Sequence, residues 1–175
     1  VQDDSNKVKA NVNVKMLIMA LMATFLFQAA NMGIYAYMIG MGKYFGLEMT
    51  FISSTLGVAA WIAIAGSVLV ILLSTRYVRV IPVVLATVLT VVGIWILHYS
   101  AQPSIYWISN VVVGITWAFV ISYLLGMCSE FDETGQMAAL GGFASKMGLA
   151  SGPLVGALLL GEDNYGVIIN IAIIG

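Results

Sequence analysis

Residues 51–74, FISSTLGVAAWIAIAGSVLVILLS, run for 24 positions without one charged side chain. A helix of about 20 such residues crosses the ~30 Å hydrocarbon core of a bilayer. A strand of a membrane barrel would instead be short and would alternate apolar with polar positions. A membrane-spanning helix is therefore expected here. Four further stretches have the same character, at residues 15–41, 80–99, 106–128 and 136–160. A sixth apolar run opens after Tyr165 and reaches Gly175, about half the length a crossing needs. The fold class expected is an all-α membrane protein, with five complete spans and a truncated sixth.

Composition points the same way. Hydrophobic residues make up 61% of the 175 and charged residues only 9%. Soluble domains carry about 25% charge, so this chain has too little to clothe a water-facing surface. Its solvent is the lipid bilayer. Seven Lys and Arg against eight Asp and Glu leave no basic patch, which argues against a nucleic-acid partner. One cysteine, Cys128, rules out an intrachain disulfide. No His/Cys cluster, phosphate loop or Ser/His/Asp set is readable, so no metal, cofactor or enzyme activity is expected. The single histidine, His98, falls at a span end beside Tyr99, where an interfacial residue is ordinary.

The chain starts at Val1 rather than Met, and it stops inside an apolar run. Both ends lead to the expectation of a piece of a longer polypeptide. Residues 1–14 form a polar leading segment without a signal-peptide core, and residues 15–175 form the membrane domain. Orientation follows from Lys and Arg in the short loops. Lys7, Lys9, Lys15, Arg76 and Arg79 share one side if the spans alternate, and Lys43 lies on the other. The leading segment is thus expected in the cytoplasm, in a plasma or bacterial inner membrane. The acidic loop with Glu130, Asp132 and Glu133 shares that side. Its acids either pair with Arg76 and Arg79 or stay solvated. Asp132 or Thr134 is suited to cap the fifth span.

Lys146 is the most costly residue in the chain. It follows Gln136 by ten positions, about 15 Å, half the thickness of the hydrocarbon core. A charge at that depth costs about 2.5–3.5 kcal/mol on insertion scales. It must therefore meet water, a counter-charge or an anionic ligand; the alternative is a structural lysine bonded to helix carbonyls. Next to it, Gly141, Ser145, Gly148, Gly152 and Gly156 recur at three- and four-residue steps and form one small-residue face. Pro153 removes a helix hydrogen bond and permits a bend. Gly148, Gly152, Pro153 and Gly156 are thus candidates for close packing or for a hinge.

In the first span Thr24, Gln28, Asn31 and Tyr35 are spaced by four, three and four, which makes an inward stripe. Its polar groups line a solute path or bond helix to helix. Tyr37 lies off the stripe and reads as packing. In the fourth span Asn110, Gly114 and Trp117 share a face, with Trp117 too deep to be an interfacial anchor. Trp61 in the second span has the same two readings, stacking or packing.

These features resemble the major facilitator superfamily of secondary transporters. LLSTRYVRVIPVVL is similar to that family's basic loop between the second and third helices of a half, keeping Arg76 and Arg79 but with Thr75 and Val78 at its Asp and Gly positions. GLASGPLVGALL resembles its Gly-Pro signature in the fifth helix, with Gly148, Gly152, Pro153 and Gly156 matching. The degraded loop, and Asn110 where drug exporters often have Arg, suit the C-terminal half, with residues 1–14 as the inter-half segment. The resemblance implies alternating access by two rocking halves, and the other half of the transporter as a partner. It also implies that Gln28, Asn31, Tyr35, Asn110, Trp117 and Lys146 line a path for a small solute, an anion, organic acid or sugar. Arg76, Arg79 and Glu130 would then form a cytoplasmic gate. Two other readings are the first half of a proton-coupled drug exporter and a non-transporting scaffold or receptor on a transporter fold.

Overall fold

The computed structural model describes residues 14–73, 80–131, 135–160 and 164–174. They form helices α1 (Val14–Tyr35), α2 (Met38–Tyr44), α3 (Met49–Leu73), α4 (Val80–Trp95), α5 (Pro103–Ser129), α6 (Gln136–Leu160) and α7 (Tyr165–Ile174), and a 3-10 turn, Ile96–Tyr99, extends α4. Five spans, counting α1 with α2 as one, are long and apolar enough to cross a membrane, and α7 is a shorter apolar helix. The protein is an all-α, multi-pass integral membrane protein.

Each boundary has a local cause. Pro103 starts α5 in its first turn, where the missing N–H costs nothing. After α2, Gly46 takes φ +80° while its N–H reaches the Lys43 carbonyl and the Leu47 N–H reaches that of Gly42. That bonding pair closes a helix on a left-handed residue, which glycine adopts without a Cβ clash. The 3-10 turn ends where the Ser100 N–H bonds the Leu97 carbonyl.

The first span departs from the continuous helix expected over residues 15–41. It breaks at Ala36 and Tyr37, where the Tyr37 N–H bonds Ile34 three residues back rather than four. Neither Gly nor Pro stands at the break. Instead the Tyr37 hydroxyl donates to the Pro153 carbonyl of α6 at 2.8 Å, and its ring covers Gly156. Pro153 lies inside a helix that continues through it.

Two helix pairs make the closest crossings. In the first, Gly148 and Gly152 of α6 bring its backbone against Phe25, Ala29 and Gly33 of α1, so near that an added Cβ would overlap the α1 carbonyls. In the second, Gly66 of α3 meets Ile115 and Phe119 of α5, and Gly114 of α5 meets Ala59. Lipid gives no hydrophobic drive for helix association, so this backbone proximity supplies the dispersion contacts that hold the pairs. α4 and α7 pack behind α1 and α5, joined by hydroxyl bonds such as Thr90 to Thr116 at 2.7 Å. A cluster around Ile34, Met38, Met41, Ile52, Ile94, Leu97, Tyr106 and Ile169 closes one end of the bundle. Large apolar side chains cover the outside, among them Ile71, Leu158 and Trp61, the last 77% exposed and turned away from the bundle.

Candidate functional site

Three helices meet at mid-depth through one side chain. Gln28 stands near the centre of the first span and is almost fully buried. Its amide Nε2 donates to Ser145 Oγ of α6 at 2.8 Å. Its Oε1 accepts from Trp117 Nε1 of α5 at 2.7 Å. Gly148 makes this possible, because a side chain there would collide with the Gln28 Cβ. Gln28 therefore has both ends of its amide satisfied, as a buried amide in lipid requires. Trp117 is only half-buried, and its indole plane is fixed by the bond to Gln28.

Lys146 follows Ser145 and is exposed. α6 divides into four strips. The small-residue face Gly141, Ser145, Gly148, Gly152 and Gly156 is buried. The flank toward α7 carries Val155 and Leu159, which line a crevice with Ile168, Ile171 and Ala172. The outer face carries the exposed Leu140, Phe143, Met147, Leu154 and Leu158. Helical spacing sets Lys146 on the remaining flank with Gly142, Ala150 and Pro153, away from the flank toward α7. The ammonium is thus on a strip of small residues and apart from the bulky apolar one. Every helix in the structure lacks Asp and Glu, so no carboxylate within them faces Lys146.

The other residues of the expected site divide. Tyr35, the last residue of α1, keeps its angular place on the stripe but is 47% exposed, not inward. Asn31 is buried, yet it lines a different cavity of about 400 Å³, with Phe27, Thr87, Thr90, Ile94 and Ala172. Its Nδ2 donates to the Phe27 carbonyl, and its Oδ1 has no partner among the described residues. Asn110 is buried and donates Nδ2 to the Tyr106 carbonyl at 2.8 Å. Thr24 returns its hydroxyl to the Ala20 carbonyl. The face shared by Asn110, Gly114 and Trp117 splits, since Gly114 turns to α3. The structure brings Gln28, Trp117 and Ser145 together; Lys146 follows Ser145 in the chain, and Tyr35 is the last residue of α1.

Arg76 and Arg79, the acids Asp132 and Glu133, and Thr134 lie outside the described residues, and with them the expected gate pairing and cap. Glu130 caps the end of α5 and is exposed. Gly148, Gly152 and Gly156 serve close packing on α1 and Tyr37, and Pro153 accepts the Tyr37 bond. His98 Nε2 lies 3.2 Å from Asn170 Oδ1, tying the end of the third span to α7. Two contributors were missed in the sequence: Ser145 as the partner of Gln28, and Tyr37 as the partner of Pro153. Ser145 reads as one more small residue in a glycine face, and nothing local distinguishes it.

No protein-family model, curated protein or solved structure matches this chain.

Proposed function

We propose that the chain is the C-terminal half of a secondary transporter of the major facilitator type, which moves a small polar solute by alternating access. One observation carries the reading. The pattern of which spans touch is largely kept when spans one to three are exchanged with spans four to six. Span one on span five matches span four on span two, and span three on span four matches span six on span one. Span one on two matches four on five, and the pairs one–four and three–six map onto themselves. The short sixth span packs less extensively on span one than span three does on span four, and the five–six contact has no extensive counterpart. The two closest crossings are equivalent under the exchange, and both are built on glycine: Gly148 and Gly152 in one, Gly66 in the other. Inverted repeats of three spans are the construction of such transporters, with the solute bound near the bilayer midplane at the repeat interface.

Gln28 of span one and Trp117 of span four, the pair at the centre of that exchange, meet at mid-depth. Lys146, next to Ser145 in the chain, carries charge that lipid would not tolerate. In this reading Trp117 and Lys146 turn to the other half, and residues 1–14 and the basic loop lie in the cytoplasm, at a plasma or bacterial inner membrane. The test is uptake into vesicles reconstituted with the full-length polypeptide. Uptake above that of empty vesicles, reduced by Lys146→Ala, is expected. Uptake equal to empty vesicles for all of a broad panel of sugars, organic acids and cationic drugs would defeat the proposal and leave a scaffold or receptor role.

A further inference from the structure

The four tryptophans of this chain settle their indole N–H in different ways. Trp117, at mid-depth, donates to Gln28 Oε1 inside the bundle. Trp95 closes α4, Trp107 lies in the second turn of α5, and both are exposed. At helix ends headgroups and water take the N–H, the usual station of tryptophan in membranes. Trp61 fits neither pattern. It stands at the centre of α3 (Met49–Leu73), with about 15 Å of hydrocarbon on either side of it. It is 77% exposed, and its N–H has no partner among the described residues. α3 buries one narrow strip, Ile52, Thr55, Ala59, Ala63 and Gly66. Trp61 is two positions from both Ala59 and Ala63, about 200° round the helix, and so on the opposite side. Gly57 and Ala65, one turn away on either side of Trp61, are exposed, and a Cβ at Gly57 would meet nothing within 4 Å. The indole thus projects from a strip with room beside it for another backbone. Of the five spans α3 is the least buried and α6 the next. These are spans two and five, which the repeat exchanges. Each carries one polar group at mid-depth with no partner among the described residues, the Trp61 N–H and the Lys146 ammonium.

We propose that the Trp61 side of α3 docks on a membrane helix of the other half, which presents a backbone or side-chain oxygen to the indole N–H. This deepens the carrier reading and rests on it: repeat equivalence gives Trp61 the partner which that reading gives Lys146. Acyl chains hold no acceptor at mid-depth, so lipid would leave the N–H both desolvated and unpaired. A helix seated over Gly57 and Ala65 supplies the acceptor, and its backbone comes close enough to make dispersion contacts along the ring. The acceptor belongs to a chain segment other than α5, because α5 packs on the opposite side of α3.

Photo-cross-linking of the full-length polypeptide in lipid vesicles tests this, with Trp61→benzoylphenylalanine as the probe. Peptide mapping is expected to join position 61 to a segment of the same polypeptide outside residues 1–175. A covalent dimer, an adduct to lipid, adducts confined to residues 1–175, or no adduct to protein each overturns the proposal. Trp61→Phe gives a second readout, since it keeps a ring and deletes the N–H. It should shift the unfolding equilibrium of the full-length polypeptide by about 3–20-fold, the range for one hydrogen bond between membrane helices. Trp95→Phe, with its N–H in the headgroup layer, should change it by no more than about twofold. Equal shifts in the two variants would deny Trp61 an acceptor and overturn the proposal as well. Uptake assays on the unmodified polypeptide separate this contact from the carrier reading. The expected cross-link without uptake of any solute sinks the carrier and keeps the contact; uptake with position 61 labelling lipid keeps the carrier and sinks the contact.

Discussion

The Trp117 indole N–H points across the interior at the Gln28 side-chain oxygen, 2.7 Å away, although 89 residues separate the two in the chain. This bond sits where α1, α5 and α6 converge, and the second end of the same amide reaches Ser145. Gln28 is thus a three-helix joint. Removing one partner strands the other, and a stranded buried polar group costs more than the bond itself contributed.

Gln28→Leu is expected to destabilise the protein by about 1–3 kcal/mol, because the Trp117 N–H and the Ser145 hydroxyl both lose a partner. Trp117→Phe alone strands Gln28 Oε1 and should cost less. The double variant should be milder than the sum of the two, with a coupling of about 0.6–1.7 kcal/mol, the range for hydrogen bonds between membrane helices. Thermal or denaturant unfolding in detergent gives the three differences. Strict additivity would mean that the bond is not formed.

The glycines of α6 make a sharper test, since two positions on one helix should respond in opposite directions. A Cβ at Gly152 overlaps the Ala29 carbonyl, whereas one at Gly142 meets nothing within 4 Å. Gly152→Ala must push α1 and α6 apart and should cost about 1–3 kcal/mol. Gly142→Ala relieves the entropy cost of glycine in a helix and should be neutral or stabilising by about 0.5–1 kcal/mol. Melting temperatures of the two variants, measured side by side, check the sign of each. Gly126 has open space as well and provides a second control.

Span positions were legible in the sequence because lipid imposes one requirement, an uninterrupted apolar run, and that is local. The fifth span was read at residues 136–160, where α6 is found. The small-residue face of α6 was legible too, from its three- and four-residue steps, and it is the buried face. The break in the first span was not, because its cause lies elsewhere: Tyr37 is held by Pro153, 116 residues away. The stripe Thr24, Gln28, Asn31 and Tyr35 shows the limit of periodicity. One spacing rule grouped four residues, but the neighbours differ along the helix. Gln28 meets α5 and α6, Asn31 opens beside α4 and α7, and Tyr35 is the last residue of α1.

Gly46 tests the turn between the first two spans. Its φ of +80° belongs to the left-handed region, and a Cβ there would meet no neighbour, so strain is confined to the backbone. Gly46→Ala should therefore lower stability by about 1 kcal/mol, and Gly46→Asn by less, since asparagine tolerates that conformation better. An equal loss from both substitutions in an unfolding titration would locate the cost elsewhere.

Tyr37→Phe isolates the link between the broken first span and the proline of α6. The substitution keeps the ring that covers Gly156 and deletes the hydroxyl that donates to the Pro153 carbonyl at 2.8 Å. The carbonyl lies in a helix and retains a backbone donor further along it, so it is not stranded. The expected loss is accordingly small, about 0.5–1.5 kcal/mol. Tyr37→Ala also removes the ring and opens a void against Gly156, at about 3–5 kcal/mol for a large aromatic truncated in a packed site. Amide exchange of the segment around Ala36 and Tyr37 gives the local readout: faster exchange there in Tyr37→Phe, with α3 and α5 unaffected, is expected if the bond holds the break in position. Exchange unchanged at the break would mean that the bend is set by the α1 backbone alone.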